Sequence, residues 1–220
     1  MANLPCSLVT KACPISKAQG ALLGDEARLL EGANVARQRE LIAGRTVAHV
    51  IMFEMGLAEA PVGQNADGSP AWPAGLCGSI AHSHHDIAVA IARLSDVRAV
   101  GIDIEDGRDL EGATPDIVSE LEIEGATTHP LASDRQGAVR ILFSMKEALF
   151  KCQAPITGNS NLSFTAIRLI SRPESRFGAE AVGDLGSPIV DVVSRIQIEL
   201  QQIQGVVVAT AWLPADLHFV

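Results

Sequence analysis

The sequence predicts an α+β chain built as two comparable halves, and three observations carry that prediction. Asp25 to Gly56 places Leu29, Leu30, Leu41, Ile42, Val47, Val50 and Ile51 at helical spacing with charges between them. Asp86 to Ala92 and Val97 to Glu105 are short apolar runs of strand length, the second with apolar and acidic residues in alternation. A second long helical pattern, Ser133 to Cys152, is then followed by further strand-like runs. Helix, strand pair, helix and strands in that order divide the 220 residues near position 106, into an N-terminal half of 1–106 and a C-terminal half of 107–220.

Each element has its own signal. The first helix has a plausible stop at Gly56. Pro61 to Gly78 holds Gly63, Gly68, Pro70, Pro73 and Gly75 and reads as an irregular surface loop, a place where ligand contacts are often carried. The Arg93 to Asp96 turn between the two strand candidates suggests an antiparallel pair. Thr114-Pro115 begins a short helix that ends before Gly125. Val139, Leu142, Phe143, Leu149 and Phe150 supply the apolar side of the second long helix, and Pro155 closes it. Leu162 to Ile170, Ile196 to Gln202 and Val206 to Leu213 read as strands, with a polar loop over Ser171 to Ser187.

Composition narrows the function. Hydrophobic residues make up 47% of the chain, ample for a core, but aromatics only 4% with no Tyr, so stacking platforms for single-stranded nucleic acid are not expected. A formal charge of -9 argues against nonspecific nucleic-acid binding and requires any anionic ligand to meet a local basic cluster. Cys6, Cys13, Cys77 and Cys152 lack zinc-site or redox spacing and read as reduced cytosolic thiols. Met1 to Lys17 does not resemble a signal peptide, and Gly205 to Leu213 is too short to span a bilayer as a helix. The expectation is a cytoplasmic protein without integral membrane association.

Chemistry concentrates on three acids set in apolar sequence. Alternation through Val100 to Glu105 puts Asp103 and Glu105 on one strand face and Ile102 and Ile104 on the other. Glu147 lies in Phe-Ser-Met-Lys-Glu-Ala-Leu-Phe-Lys, with Lys146 beside it and Lys151 one turn on. A buried carboxylate needs a proton, a cation or a metal, and oxygen ligands of this kind suit magnesium completed by water and substrate phosphates. Gly78-Ser79-Ile80-Ala81-His82-Ser83 adds a histidine and small polar residues suited to gripping phosphate.

These segments, with Arg37 to Arg45 and Gly68-Ser69-Pro70-Ala71-Trp72-Pro73, resemble in order and spacing the 4′-phosphopantetheinyl transferase superfamily, specifically its enterobactin synthetase component D type. The resemblance covers most of the chain. It implies a pseudo-twofold arrangement of two similar α+β halves, each a small antiparallel sheet packed with helices, with coenzyme A and Mg2+ bound between them. Its metal ligands fall on Asp103, Glu105 and Glu147. Arg37, Arg45 and His82 would hold the 3′-phosphate of coenzyme A, Gly68 and Pro70 would lie in the adenine-side wall, and Lys146 and Lys151 would reach the pyrophosphate. Glu147 and Lys151 carry the catalytic roles.

Three departures from the family pattern stand out. Ala81 replaces a Ser or Thr before His82, Gln64 lies in a loop where a basic residue is usual, and Gln153-Ala154-Pro155 lacks an aromatic. The first two imply weaker coenzyme A contacts and the third an altered carrier-facing surface. The implied activity is Mg-dependent transfer of phosphopantetheine to a serine of an apo-peptidyl or acyl carrier protein of siderophore or other nonribosomal synthesis, by a monomer. The alternatives are a Mg-dependent phosphodiester hydrolase and an inactive carrier-binding relative. Because carriers are acidic too, docking requires a local apolar or basic patch, expected beside the Ser133 to Cys152 helix.

Overall fold

A computed structural model describes residues 4–5, 7–105 and 114–215. The chain runs β1 (Val9–Pro14), two short 3-10 helices (Ile15–Lys17 and Gly24–Leu30), α1 (Val35–Glu54), a two-stranded hairpin of β2 (Gly63–Gln64) and β3 (Pro70–Ala71), then β4 (Leu76–His82), β5 (Asp86–Arg93) and β6 (Val97–Glu105). After it come α2 (Thr114–Ile117), α3 (Glu120–Ala126), α4 (Arg135–Thr157), the hairpin of β7 (Ile167–Arg172) and β8 (Arg176–Ala181), α5 (Ser187–Arg195), β9 (Gln197–Ile203) and β10 (Val206–Pro214).

Two antiparallel sheets form, in the orders β1-β5-β4 and β6-β10-β9. The same path is traced twice: a first strand, a short helix, a long helix, a hairpin, and two strands that pair back to the first. α5 is an insertion in the second pass. This repetition is the pseudo-twofold α+β architecture, although no repeat is visible in the residues themselves. By the division at residue 106, β6 falls in the first half; by hydrogen bonding, it opens the second sheet.

Four layers result, because β5 and β6 are each covered on both faces. Ile87, Val89 and Ile91 of β5 pack with Ala43, Val47 and Ile51 of α1. Ala88, Ala90 and Ala92, on the opposite face, meet Val100, Ile102 and Ile104 of β6 and Trp212 of β10. The outer face of the second sheet, with Ala99, Ala209, Ala211 and Leu213, receives Ile141, Leu142, Met145 and Leu149 of α4. β5 and β6 therefore stack face to face in different sheets, which corrects the expected hairpin pairing. Their apolar residues on both faces demand two covers, and edge-to-edge pairing would supply neither.

Other boundaries also differ from expectation. The first helical segment breaks after Leu30, and α1 restarts where Asn34 accepts the Arg37 N–H at 2.9 Å. β1, β4 and β8 arise from segments read as terminus, loop or motif, and α5 from a stretch to which the sequence reading gave no element. α4 continues through Pro155 into Thr157, since a proline in the last turn removes only one intrahelical bond, and Gly158 ends the helix in the left-handed region at φ 69°. No described helix is long and apolar enough to cross a membrane.

Candidate functional site

The close seating of α4 on β6 brings strand and helix chemistry together, and Gly101 permits it. A methyl group on Gly101 would collide with the Ala148 carbonyl and stand 2.7 Å from the Cys152 amide nitrogen. With the helix backbone pressed onto the strand, Glu147 and Lys151 come within reach of Asp103, two residues along β6 from Gly101. A lone glycine inside an apolar strand was the available signal for this approach.

Asp103 and Glu105 share one face of β6, while Ile102 and Ile104 fill the core between the sheets, as the alternation requires. Asp103 is 6% exposed. Its Oδ1 accepts from the Lys151 ammonium at 2.7 Å, and Lys151 also bonds the Ile102 carbonyl at 3.3 Å and lies 3.6 Å from Glu147 Oε2. Burial pushes the Asp103 carboxyl above its usual range, against the pull of Lys151. Glu147 is raised by burial as well, opposed by Lys151 and reinforced by the charge of Asp103. Asp103 Oδ2 is buried without a hydrogen bond of good geometry; the Ser144 hydroxyl, one turn before Glu147, lacks one too, though it is near enough to pull the Asp103 carboxyl down a little.

That orphaned oxygen fits a hard divalent cation, for which an unpaired buried carboxylate oxygen is a ready ligand. The arrangement nevertheless differs from the expected cluster of three converging acids. Among the described residues, no three acidic, histidine or cysteine side chains converge closely enough to hold a metal ion. The ammonium of Lys151 stands between Asp103 and Glu147, with Glu105 farther along the same strand face.

Lys146 is elsewhere, which corrects its expected place at the pyrophosphate. Its ammonium, 2% exposed, bonds Glu122 at 2.8 Å and the carbonyls of Ile117 and Phe164 at 2.8 and 3.1 Å. Adjacent residues on a helix point about 100° apart, and here that offset turns Lys146 toward Glu122 while Glu147 faces Lys151. Lys146 turns into the core of the second half, where it ties α2 and the approach to β7 onto α4.

The remaining basic residues gather at α1. A pocket of about 120 Å³ is lined by Arg37, Glu40, Arg45, Gln64, Gly68, Pro70 and His82 among others. Arg37 Nη1 is 3.2 Å from His82 Nε2, and both contact Glu40 Oε2, at 3.0 and 3.3 Å. Arg45, only 4% exposed, donates from Nε to the Val62 carbonyl at 2.7 Å and from Nη2 to the Gly63 carbonyl at 2.8 Å. Burial lowers its pKa, while the charge of Glu26 works the other way. Gln64 donates to the Gly68 carbonyl at 2.9 Å, bracing the loop in which Gly68 adopts φ 86°. Glu40, given no role in the sequence reading, is the acid that holds Arg37 and His82 together.

A larger cleft of about 990 Å³ runs between β3 and β4 on one side and β6 and α4 on the other. Gly68, Pro70 and Ile80 line both cavities, and Lys151 lines the far wall of the cleft with Phe150, Ala154 and Pro155. Trp72 also lines it; its indole N–H donates to the Gly78 carbonyl at 2.9 Å, and a methyl at Gly78 would lie 2.5 Å from the ring. Trp72 lies in the Gly68 to Pro73 loop that the family resemblance makes the adenine-side wall, and Gly78 is the seat its ring needs.

Ala81 is buried in the alanine-rich core between the sheets and lines neither cavity. Cys13, Cys77 and Cys152 are free thiols, and Cys6 lies outside the described residues. Burial pushes Cys77 up to about 11 and Cys152 higher still, which leaves both without nucleophilic thiolate.

Comparison with known proteins bears on this geometry. Residues 25–93 match the family model for the 4′-phosphopantetheinyl transferase N-terminal domain, and residues 99–210 match that for the 4′-phosphopantetheinyl transferase superfamily. The chain is 34% identical over 138 residues to 4′-phosphopantetheinyl transferase PptT of Mycobacterium tuberculosis, covering 61% of this chain and 59% of that one. It is 32% identical over 156 residues to 4′-phosphopantetheinyl transferase Svp of Streptomyces mobaraensis, covering 70% and 63%. Enterobactin synthase component D of Salmonella typhimurium is 33% identical over 127 residues, covering 56% and 50%. The chain thus spans between half and two thirds of the length of these curated relatives.

Proposed function

The chain belongs to the 4′-phosphopantetheinyl transferase superfamily, and from that premise we propose that it transfers the 4′-phosphopantetheine group of coenzyme A to a serine of an apo-carrier protein. One observation carries the reading. The Arg37–Arg45–His82 pocket and the cleft ending at Lys151 share Gly68, Pro70 and Ile80, so a ligand with a phosphate at one end and a pyrophosphate farther along can lie across both.

Arg37, Arg45 and His82 hold the 3′-phosphate, the Gly68 to Trp72 wall covers the adenine, and Lys151 meets the pyrophosphate. Magnesium would be held first by the unpaired oxygen of Asp103, with Glu105 and Glu147, which do not converge on it in the chain alone, completing the set on binding, and when bound it supplies neutralisation of the pyrophosphate charge. Burial suits Glu147 to accept the serine proton, since a carboxylate with a raised pKa is a stronger base. The serine oxygen bonds to the β-phosphorus as the bond from that phosphorus to the bridging oxygen breaks. The released 3′,5′-adenosine bisphosphate carries the developing charge, which Lys151 stabilises.

Resemblance to enterobactin synthase component D favours peptidyl carriers of siderophore or other nonribosomal synthesis as acceptors. The test is incubation with Mg2+, coenzyme A and a panel of apo-peptidyl and apo-acyl carriers, with mass spectrometry of the carrier serine. A phosphopantetheine adduct is expected on at least one carrier. Absence of the adduct from every carrier overturns the proposal, and carrier-independent consumption of coenzyme A points to a hydrolase instead.

A further inference from the structure

Two buried glutamates occupy matching places in the two halves. Glu26 is 1% exposed and Glu122 6%. Each is the third residue of a short helix and accepts the backbone N–H at that helix's start, Leu23 for Glu26 and Ser119 for Glu122, both at 2.8 Å. With its other oxygen, each accepts a backbone N–H from the hairpin region, Val62 at 2.6 Å and Leu169 at 2.9 Å. That same oxygen meets a basic side chain of the long helix, His49 at 2.9 Å and Lys146 at 2.8 Å. The carboxylate clasp is therefore a repeated structural device, and by itself says nothing of function.

The two copies differ in what lies beyond the hairpin amide. In the first half, the residue whose N–H Glu26 grips is also the one whose carbonyl receives Arg45 Nε, and the next carbonyl, of Gly63, receives Arg45 Nη2. Glu26 thus fixes the short backbone segment on which the guanidinium is mounted, and its buried charge favours the cationic form of Arg45. In the second half the matching place on the long helix, four residues before Lys146 as Arg45 is four before His49, is held by the buried Leu142, which has no guanidinium to mount.

We propose that Glu26 is a positioning residue for the phosphate pocket: through Val62 it sets the guanidinium of Arg45, and so controls selectivity for a ligand bearing the 3′-phosphate. This rests on the coenzyme A reading above. Glu26 does not itself line the pocket and acts only through Arg45.

The test uses the full chain and two ligands, coenzyme A and 3′-dephospho-coenzyme A, titrated calorimetrically, with thermal melts to establish folding. Wild type should prefer coenzyme A. Glu26→Gln keeps the shape but loses the charge and should cut that preference about tenfold, the scale of one charge-assisted hydrogen bond, mainly by weakening coenzyme A. Glu26→Asp, which keeps the charge but is one methylene short of Val62, should cut it as well, and it decides the matter if Glu26→Gln does not fold. Glu122→Gln should leave the preference unchanged whatever it costs in stability. A folded Glu26 variant with wild-type preference overturns the positioning role while leaving the transferase reading intact. Wild type that binds neither ligand overturns both.

Discussion

Lys146 and Lys151 lie five residues apart on one helix, and each is paired with a buried acid, yet they have opposite surroundings. Lys146 is enclosed: Glu122 and two carbonyls take its ammonium, and Glu122 is in turn bonded by the amides of Ser119 and Leu169. Lys151 stands at a cleft with Asp103 bonded, Glu147 at longer range, and one Asp103 oxygen left without a hydrogen bond of good geometry. A closed set of bonds holds elements together, while an open one leaves charge available to a ligand. Sequence motif alone ranks these two lysines alike, and tertiary surroundings separate them.

The sharpest way to break this comparison is to remove each ammonium in turn. Lys146→Met should destabilise the fold by about 3 to 5 kcal/mol, because Glu122 is left charged and buried, and denaturant melts will measure it. Combining it with Glu122→Leu should recover much of that loss. A Lys146→Met protein of wild-type stability would show that the pair is not structural. Lys151→Met should instead lower the transfer rate by roughly 10² to 10³ and cost less stability than Lys146→Met, since its ammonium is part-exposed and Asp103, already raised by burial, can take up a proton; steady-state kinetics and melts on the same samples read both.

Seating of the helix offers the next test. Gly101→Ala should cost about 1 to 3 kcal/mol by overpacking and should depress transfer as well, since the helix that carries Glu147 and Lys151 must back away. If activity survives at full stability, the close approach does not set the site.

The pH dependence is the smallest effect and has opposite signs at the two pairs. Burial alone would raise Glu122, but the Leu169 amide, Lys146 and the Ser119 amide outweigh it and hold the carboxyl below its ordinary value. Its stabilising contribution is complete above the unfolded value of about 4.3 and is lost as pH falls through the lower folded value. Asp103 and Glu147 are raised, so the folded state holds their protons longer than the unfolded state. Their contribution is most favourable below the unfolded values of about 3.9 and 4.3, and stability declines as pH rises through the raised folded values. Glu122→Gln should flatten the acid side of a stability–pH curve, and Asp103→Asn the decline above it.

Much of the site was legible in the chain. Period-two alternation fixed which face of β6 bears Asp103 and Glu105, because a strand side chain has only two directions to point. Helical spacing put Glu147 and Lys151 on one face, while only the family resemblance grouped Arg37, Arg45 and His82. What local pattern could not give was the partner of each surface. β5 and β6 read as a hairpin and stack face to face instead, since two strands apolar on both sides are satisfied only by covers from distant segments. Lys146 read as a ligand and proved a core tie, since its destination depends on Glu122, 24 positions away, and on carbonyls brought there by the fold. Burial of charge is the common reason: a sequence shows that a carboxylate or ammonium sits among apolar residues, and only the packed structure supplies the counter-charge that decides whether it is fastened or free to act.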